Sequence, residues 1–117
     1  MKTRSIVEEK SYKFALRIIK LYRHLAEEKK EYVLSKQILR CGSSIGANVK
    51  EALQGESKND FIHKLSISLK EASETEYWLN LLHDSHYITT KSFESITNEC
   101  IELIKLTTSI IKTSRKN

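Results

Sequence analysis

Five basic residues on one stretch of this chain have the spacing to follow a polyanion. Lys10, Lys13, Arg17, Lys20 and His24 succeed one another at steps of three, four, three and four, and Arg23 lies beside the line. On a helix this spacing gathers them along one face over about 20 Å, where each phosphate neutralised would steepen the salt dependence of binding. No acidic residue falls between Lys10 and His24. No aromatic platform for stacking bases shares the face, so the contact expected is with phosphates or shape, with little sequence readout. A lysine-rich outer face also keeps an ordinary helix soluble, and that reading stands beside the first.

A second constellation lies in RCGSSIGANVKEALQGES, residues 40–57, where small and polar residues crowd an otherwise helical pattern. A phosphate cradle would require GxxxxGK followed by Ser or Thr, but Gly46 is followed by Ala47 and Asn48, and no strand precedes the run. Gly42 and Gly46 are instead four apart, a spacing that lets another helix backbone approach closely. Gln37, Arg40, Ser44, Asn48 and Glu51 follow steps of three, four, four and three, which places them in one line beside the apolar stripe of the same helix. Further on, Ser68, Glu71 and Thr75 form a comparable line, flanked by Glu74 and Trp78. Two such lines can hydrogen-bond across an interface, with Arg40 meeting a carboxylate. The spacing leaves open whether that interface is within one bundle or between subunits, or whether both lines are simply solvated.

Catalytic chemistry finds less support. His24, His63, His83 and His86 form no HExxH or comparable metal pattern. Glu71, Glu74 and Glu76 lack the ExxH partners of a di-iron bundle, and no Ser or Cys has a base and an orienting group at recognisable spacing. A non-enzymatic protein with no cofactor and no metal is expected.

The elements that must position these residues are helices. The chain has no proline and three glycines, and apolar residues recur at three- and four-residue steps almost throughout. In the first segment the stripe is Val7, Phe14, Ile18, Leu21 and Leu25 with Ala15 and Tyr22, and the polar run at residues 27–32 breaks it. Ser35 is the expected cap of the second helix, with Leu34 and Leu39 as a hydrophobic staple, and a left-handed Gly55 is its expected end. The third should start at Ser57, with Asp60 favouring the first-turn amides, and end in HDSHY. The fourth should be capped by Thr89 with Ile88 and Phe93 as staple. Helices of about 20 to 27 residues joined by short connections define an all-α, up-down-up-down antiparallel four-helix bundle, one domain over residues 1–117.

Charge and cysteine usage complete the frame. Residues 1–30 hold nine Lys/Arg against four acids, while the remainder holds eleven of each sign, so the whole excess of +5 sits in the first segment. Brought together by the bundle, Lys2 and Arg4 would join Lys112, Arg115 and Lys116 in a second basic patch. No apolar run approaches a membrane span and no signal peptide is evident, so a mature start near Met1 and a cytoplasmic location are expected. Cys41 and Cys100 read as buried free thiols in a reducing compartment.

The run LSKQILRCGSSIGANVKEALQGES followed by FIHKLSISLKEASETEYWLNLL also resembles a bacterial four-helix-bundle family, the proteins encoded in intervening sequences of 23S ribosomal RNA genes. Gln37, Arg40, Ser44, Ile45, Asn48 and Glu51 meet the first half of the family's pattern, and Phe61, Leu65, Glu71, Glu74, Glu76 and Tyr77 the second. Many relatives have Glu-Gly where this chain has Glu51 and Ala52, with Gly55 later. A related group, the accessory variability proteins of diversity-generating retroelements, implies basic ring-shaped pentamers that bind nucleic acid and partner a reverse transcriptase. The resemblance therefore implies a homo-oligomer, pentameric in the manner of that group, contacting RNA or a DNA/RNA hybrid. The competing reading is a protein-interaction scaffold that binds no nucleic acid.

Overall fold

Apolar residues at helical spacing wind into four helices, α1 (Lys2–Arg23), α2 (Leu34–Leu53), α3 (Lys58–Asp84) and α4 (Thr90–Lys116). The computed structural model describes residues 2–117, the side chains of residues 2, 3 and 5 excepted. Connections at residues 29–33, 54–57 and 85–89 are too short for anything but antiparallel neighbours. Contacts run α1 to α2, α2 to α3, α3 to α4 and back from α4 to α1, which closes a four-helix bundle about 46 Å long. The α2/α3 contact is the most extensive and the α1/α4 contact the sparsest.

The inward positions fuse into one core. Phe14 and Ile18 of α1, Ile38 and Ile45 of α2, Leu65 and Leu79 of α3, and Leu103 of α4 are almost wholly removed from solvent. Each such side chain contributes about 1.5–3 kcal/mol relative to an exposed one. Both cysteines lie in this core as free thiols. The Cys100 thiol donates to the Ala72 carbonyl at 3.2 Å, and burial pushes it up to about 12. Burial likewise raises Cys41.

The helix ends agree with the expected caps in two places and differ in two. The Ser57 hydroxyl accepts from the Asp60 amide at 3.1 Å, and the Thr89 hydroxyl accepts from the Ser92 amide at 3.1 Å. Ser35, by contrast, is not a cap: it lies inside α2, fully buried, and its hydroxyl donates to the Glu31 carbonyl at 2.7 Å. The cap is the Glu31 carboxylate, which accepts from the amides of Val33 at 3.1 Å, Leu34 at 3.0 Å and Ser35 at 2.7 Å. Three donors converging on one anion satisfy most of what a helix start leaves unpaired. Gly55 is not left-handed either, since no glycine has positive φ. A Cβ there would sit 3.1 Å from the Ala52 carbonyl oxygen and 3.2 Å from Cβ of Asp60, so a side chain at this position would have to push its neighbours back by a few tenths of an ångström. Lys30 (φ 56°) and His86 (φ 68°) are the left-handed residues that turn the chain.

Before the first turn α1 widens. His24–Glu28 form a π-helical turn, with the Lys29 amide donating to the His24 carbonyl at 3.2 Å and the Glu31 amide to the Leu25 carbonyl at 2.9 Å. The wide turn keeps Leu25 fully buried while the chain leaves the helix.

Candidate nucleic-acid interface

The basic line on α1 runs along the side that meets α4. Its core-facing neighbours Phe14 and Ile18 fix the rotation of α1, and this leaves Lys10 and Arg17 pointing across the sparse α1/α4 contact. There they meet carboxylates. Lys10 Nζ lies 3.0 Å from Glu102 Oε1, and Arg17 Nη1 forms an ion pair with Glu99. Lys13 Nζ pairs with Glu9 Oε1 one turn earlier at 2.9 Å, and its hydrogen bond and charge hold the Glu9 carboxyl below the usual carboxylate range. His24 Nδ1 lies 2.9 Å from Glu28 Oε2 within the π-helical turn. Lys20 and Arg23 are exposed and make no ion pair among the described residues.

The face is therefore mixed: Glu9 and Glu28 offset it locally, and Glu99 and Glu102 from a distant part of the chain. Along α1 the line is free of acids, but Glu99 and Glu102 stand three apart on α4 and face it. An antiparallel pairing of the first and last helices was the available signal; the rotation of α4 that aims these carboxylates at α1 is set by packing. Of the second basic patch, Arg4 places its guanidinium 4.1 Å from the centre of the Phe61 ring, and Lys112, Arg115 and Lys116 are exposed near the end of α4. The Lys2 side chain lies outside the described residues.

The polar line of α2 finds partners within the chain. Arg40 forms ion pairs with Glu74 and, at 3.5 Å, with Glu71 on α3, and Gln37 Oε1 accepts from it at 3.5 Å, the outer limit of a hydrogen bond. The Trp78 indole donates to the same Glu74 carboxylate at 2.9 Å. Glu51 pairs with Lys64 of α3 at 2.8 Å. The remaining members turn back on their own helix: the Ser44 hydroxyl donates to the Arg40 carbonyl at 2.7 Å and the Asn48 amide to the Ser44 carbonyl at 2.9 Å. Ser68 and Thr75 do not answer this line. Both are buried, Ser68 donating to the Ile45 carbonyl at 2.8 Å and Thr75 to the Glu71 carbonyl at 2.7 Å.

Gly42 and Gly46 face α1. A Cβ on Gly42 would come within 2.7–2.9 Å of three side-chain carbons of Ile18, and one on Gly46 within 3.3–3.4 Å of the Ser11 carbonyl and hydroxyl. The small residues thus serve an intrachain contact. Among the described residues no three His, Cys, Asp or Glu side chains converge as metal ligands, and no helix is long and apolar enough to cross a membrane.

Four antiparallel helices, a basic strip along the first and an ion-paired seam between the second and third define a helical-bundle protein of the kind the sequence pattern resembles. The chain belongs to the 23S rRNA-intervening sequence protein family, which it matches over residues 3–109. It is similar to a protein of unknown function from the S23 ribosomal protein family of Bacteroides thetaiotaomicron VPI-5482. That crystal structure has a TM-score of 0.93 and 56% identity over 94% of this chain and 98% of the other. None of the curated proteins compared with it matches.

Proposed function

We propose that the protein is a non-enzymatic homo-oligomer that binds nucleic acid, RNA or a DNA/RNA hybrid, through phosphate contacts from Lys10, Lys13, Arg17, Lys20 and Arg23. The observation that carries this reading is the concentration of the entire net charge of +5 in the segment that forms α1 and the turn after it. Lys20 and Arg23 offer charges that are unpaired among the described residues, while Lys10 and Arg17 are held by half-exposed carboxylates. Surface pairs of that kind are worth about 0–1 kcal/mol, so phosphates can replace Glu99 and Glu102 at small cost. In a ring of identical subunits, a pentamer by resemblance to the accessory variability proteins, the strip would be multiplied. Reversing Lys13, Arg17 and Lys20 to Glu tests this directly: affinity for single-stranded RNA should fall by at least about tenfold with melting temperature retained. Unchanged binding in that variant would refute the assignment.

A second reading is favoured by the outer face of α1, where Tyr12 is 66% and Leu16 52% exposed. Large apolar side chains in that position suit a protein-interaction scaffold, with the basic strip keeping it soluble or docking an acidic partner. Such a protein would bind no RNA at low salt.

A further inference from the structure

The basic strip ends at a cleft that shares Arg17, Lys20 and Arg23 with it. It lies between the end of α1 with its π-helical turn and the α3/α4 connection, and has a volume of about 880 Å³, within the range of small-ligand sites. Arg17, Lys20, Arg23 and Lys29 line one wall; the acids of the lining are Glu27 and Glu28. Glu28 is already engaged by His24, and Arg17 by Glu99, so Lys20, Arg23 and Lys29 are left facing Glu27.

The opposite wall is tied by side-chain contacts. His83 Nε2 lies 3.0 Å from Thr90 Oγ1 and its Nδ1 3.1 Å from Asp84 Oδ1, while the ring stacks on Phe93 with centroids 4.4 Å apart. Tyr87 and Ile88 add a half-buried apolar surface beside it. The start of α4 is already capped by Thr89, so the attraction for an anion rests on the side-chain cations rather than on helix amides.

We infer that this cleft binds a terminal phosphate monoester, with Lys20, Arg23 and Lys29 around the phosphate and the Tyr87/Ile88 surface under the attached nucleoside. A monoester carries about −1.5 to −2 charges and three acceptor oxygens, which suits several cations lining one cleft better than a singly charged backbone diester. A concave site at the end of the bundle also receives a strand end more readily than a passing strand. The monoester's source is the 5′ end of a strand or a free mononucleotide; the first source rests on the nucleic-acid reading above and the second does not.

The full-length protein is titrated with one single-stranded RNA sequence bearing either a 5′-phosphate or a 5′-hydroxyl, and separately, by NMR, with AMP or adenosine. The 5′-phosphorylated strand should bind about tenfold tighter, the scale of one charge-assisted hydrogen bond, and Lys29→Ala should remove the preference. AMP, and not adenosine, should shift the amide signals of residues 87–92. AMP binding there without binding of either strand would uphold the pocket with a mononucleotide as ligand and overturn the nucleic-acid reading. Equal affinity for the two strands with no response to AMP would overturn the pocket and leave the strip standing, and silence in every titration would overturn both.

Discussion

At the scale of single residues the most consequential group is Glu31, a carboxylate at 9% exposure that no charge pairs among the described residues. Burial pushes its carboxyl up, but hydrogen bonds from the Leu34, Ser35 and Val33 amides outweigh this and hold it below the usual 4.5. A lowered carboxyl contributes stability that is present above about 4.5 and is lost as pH falls through the folded value. Glu31→Ala should therefore cost about 1–2 kcal/mol in urea denaturation at neutral pH, and Glu31→Gln should flatten the acid limb of the stability profile. An acid limb as steep as the wild type's would show that the cap is unimportant. The two thiols make a simpler case. With Cys41 raised and Cys100 near 12, both should stay inert to a thiol reagent at pH 8 in the folded protein and react together on unfolding; prompt labelling of either would contradict their placement. Glu31 was illegible in the sequence because it sits in a polar run, EEKKEY, where any acid reads as a solvated turn. Ser35 looked like the cap because serine is the commoner capping residue, and only the burial of its hydroxyl shows otherwise.

At the scale of elements, the four helices were legible because apolar spacing is a local property, and Ser57 and Thr89 cap where side-chain chemistry predicts. The π-helical turn at His24–Glu28 was not, because it is imposed by the need to keep Leu25 in the core while the chain turns. The glycine pair Gly42 and Gly46 signalled a close helix contact, but only the fold shows that the neighbour is α1. The two glycines should respond differently to substitution. Gly42→Ala drives a methyl into Ile18, which is wholly buried and cannot swing away. The overpacking cost of about 1–3 kcal/mol then exceeds the gain of about 1 kcal/mol in helix propensity. Gly46→Ala meets the Ser11 carbonyl and hydroxyl at 3.3–3.4 Å, a tight contact that a shift of a few tenths of an ångström relieves, so the two effects should nearly cancel. Gly46→Leu should lower the melting temperature clearly. Equal melting temperatures for all three variants and the wild type would contradict the α1/α2 contact described here.

At the scale of the whole molecule, the net charge was legible as a sum and its concentration in the first segment as a pattern, yet the neutralising role of Glu99 and Glu102 was not. Sequence spacing gives the face a residue occupies on its own helix, whereas the register and rotation of α4 against α1 come from packing all four helices at once. The consequence is a narrower prediction for binding: Lys20 and Arg23 near the end of α1, without an ion pair among the described residues, should matter more than Lys10, whose charge Glu102 already offsets. The same packing places the partners of Arg40 and Glu51 on α3 of the same chain, so both side chains find their ion pairs within one bundle. The measurement that bears most directly on the central claim is fluorescence anisotropy with labelled single-stranded RNA across a salt series, run beside light scattering for mass. We predict binding by an oligomer of the 13.6 kDa chain, with log affinity falling against log salt at a slope of about −3.5 for five neutralised phosphates on a single strand. No binding at low salt, or an affinity that salt leaves unchanged, would contradict it.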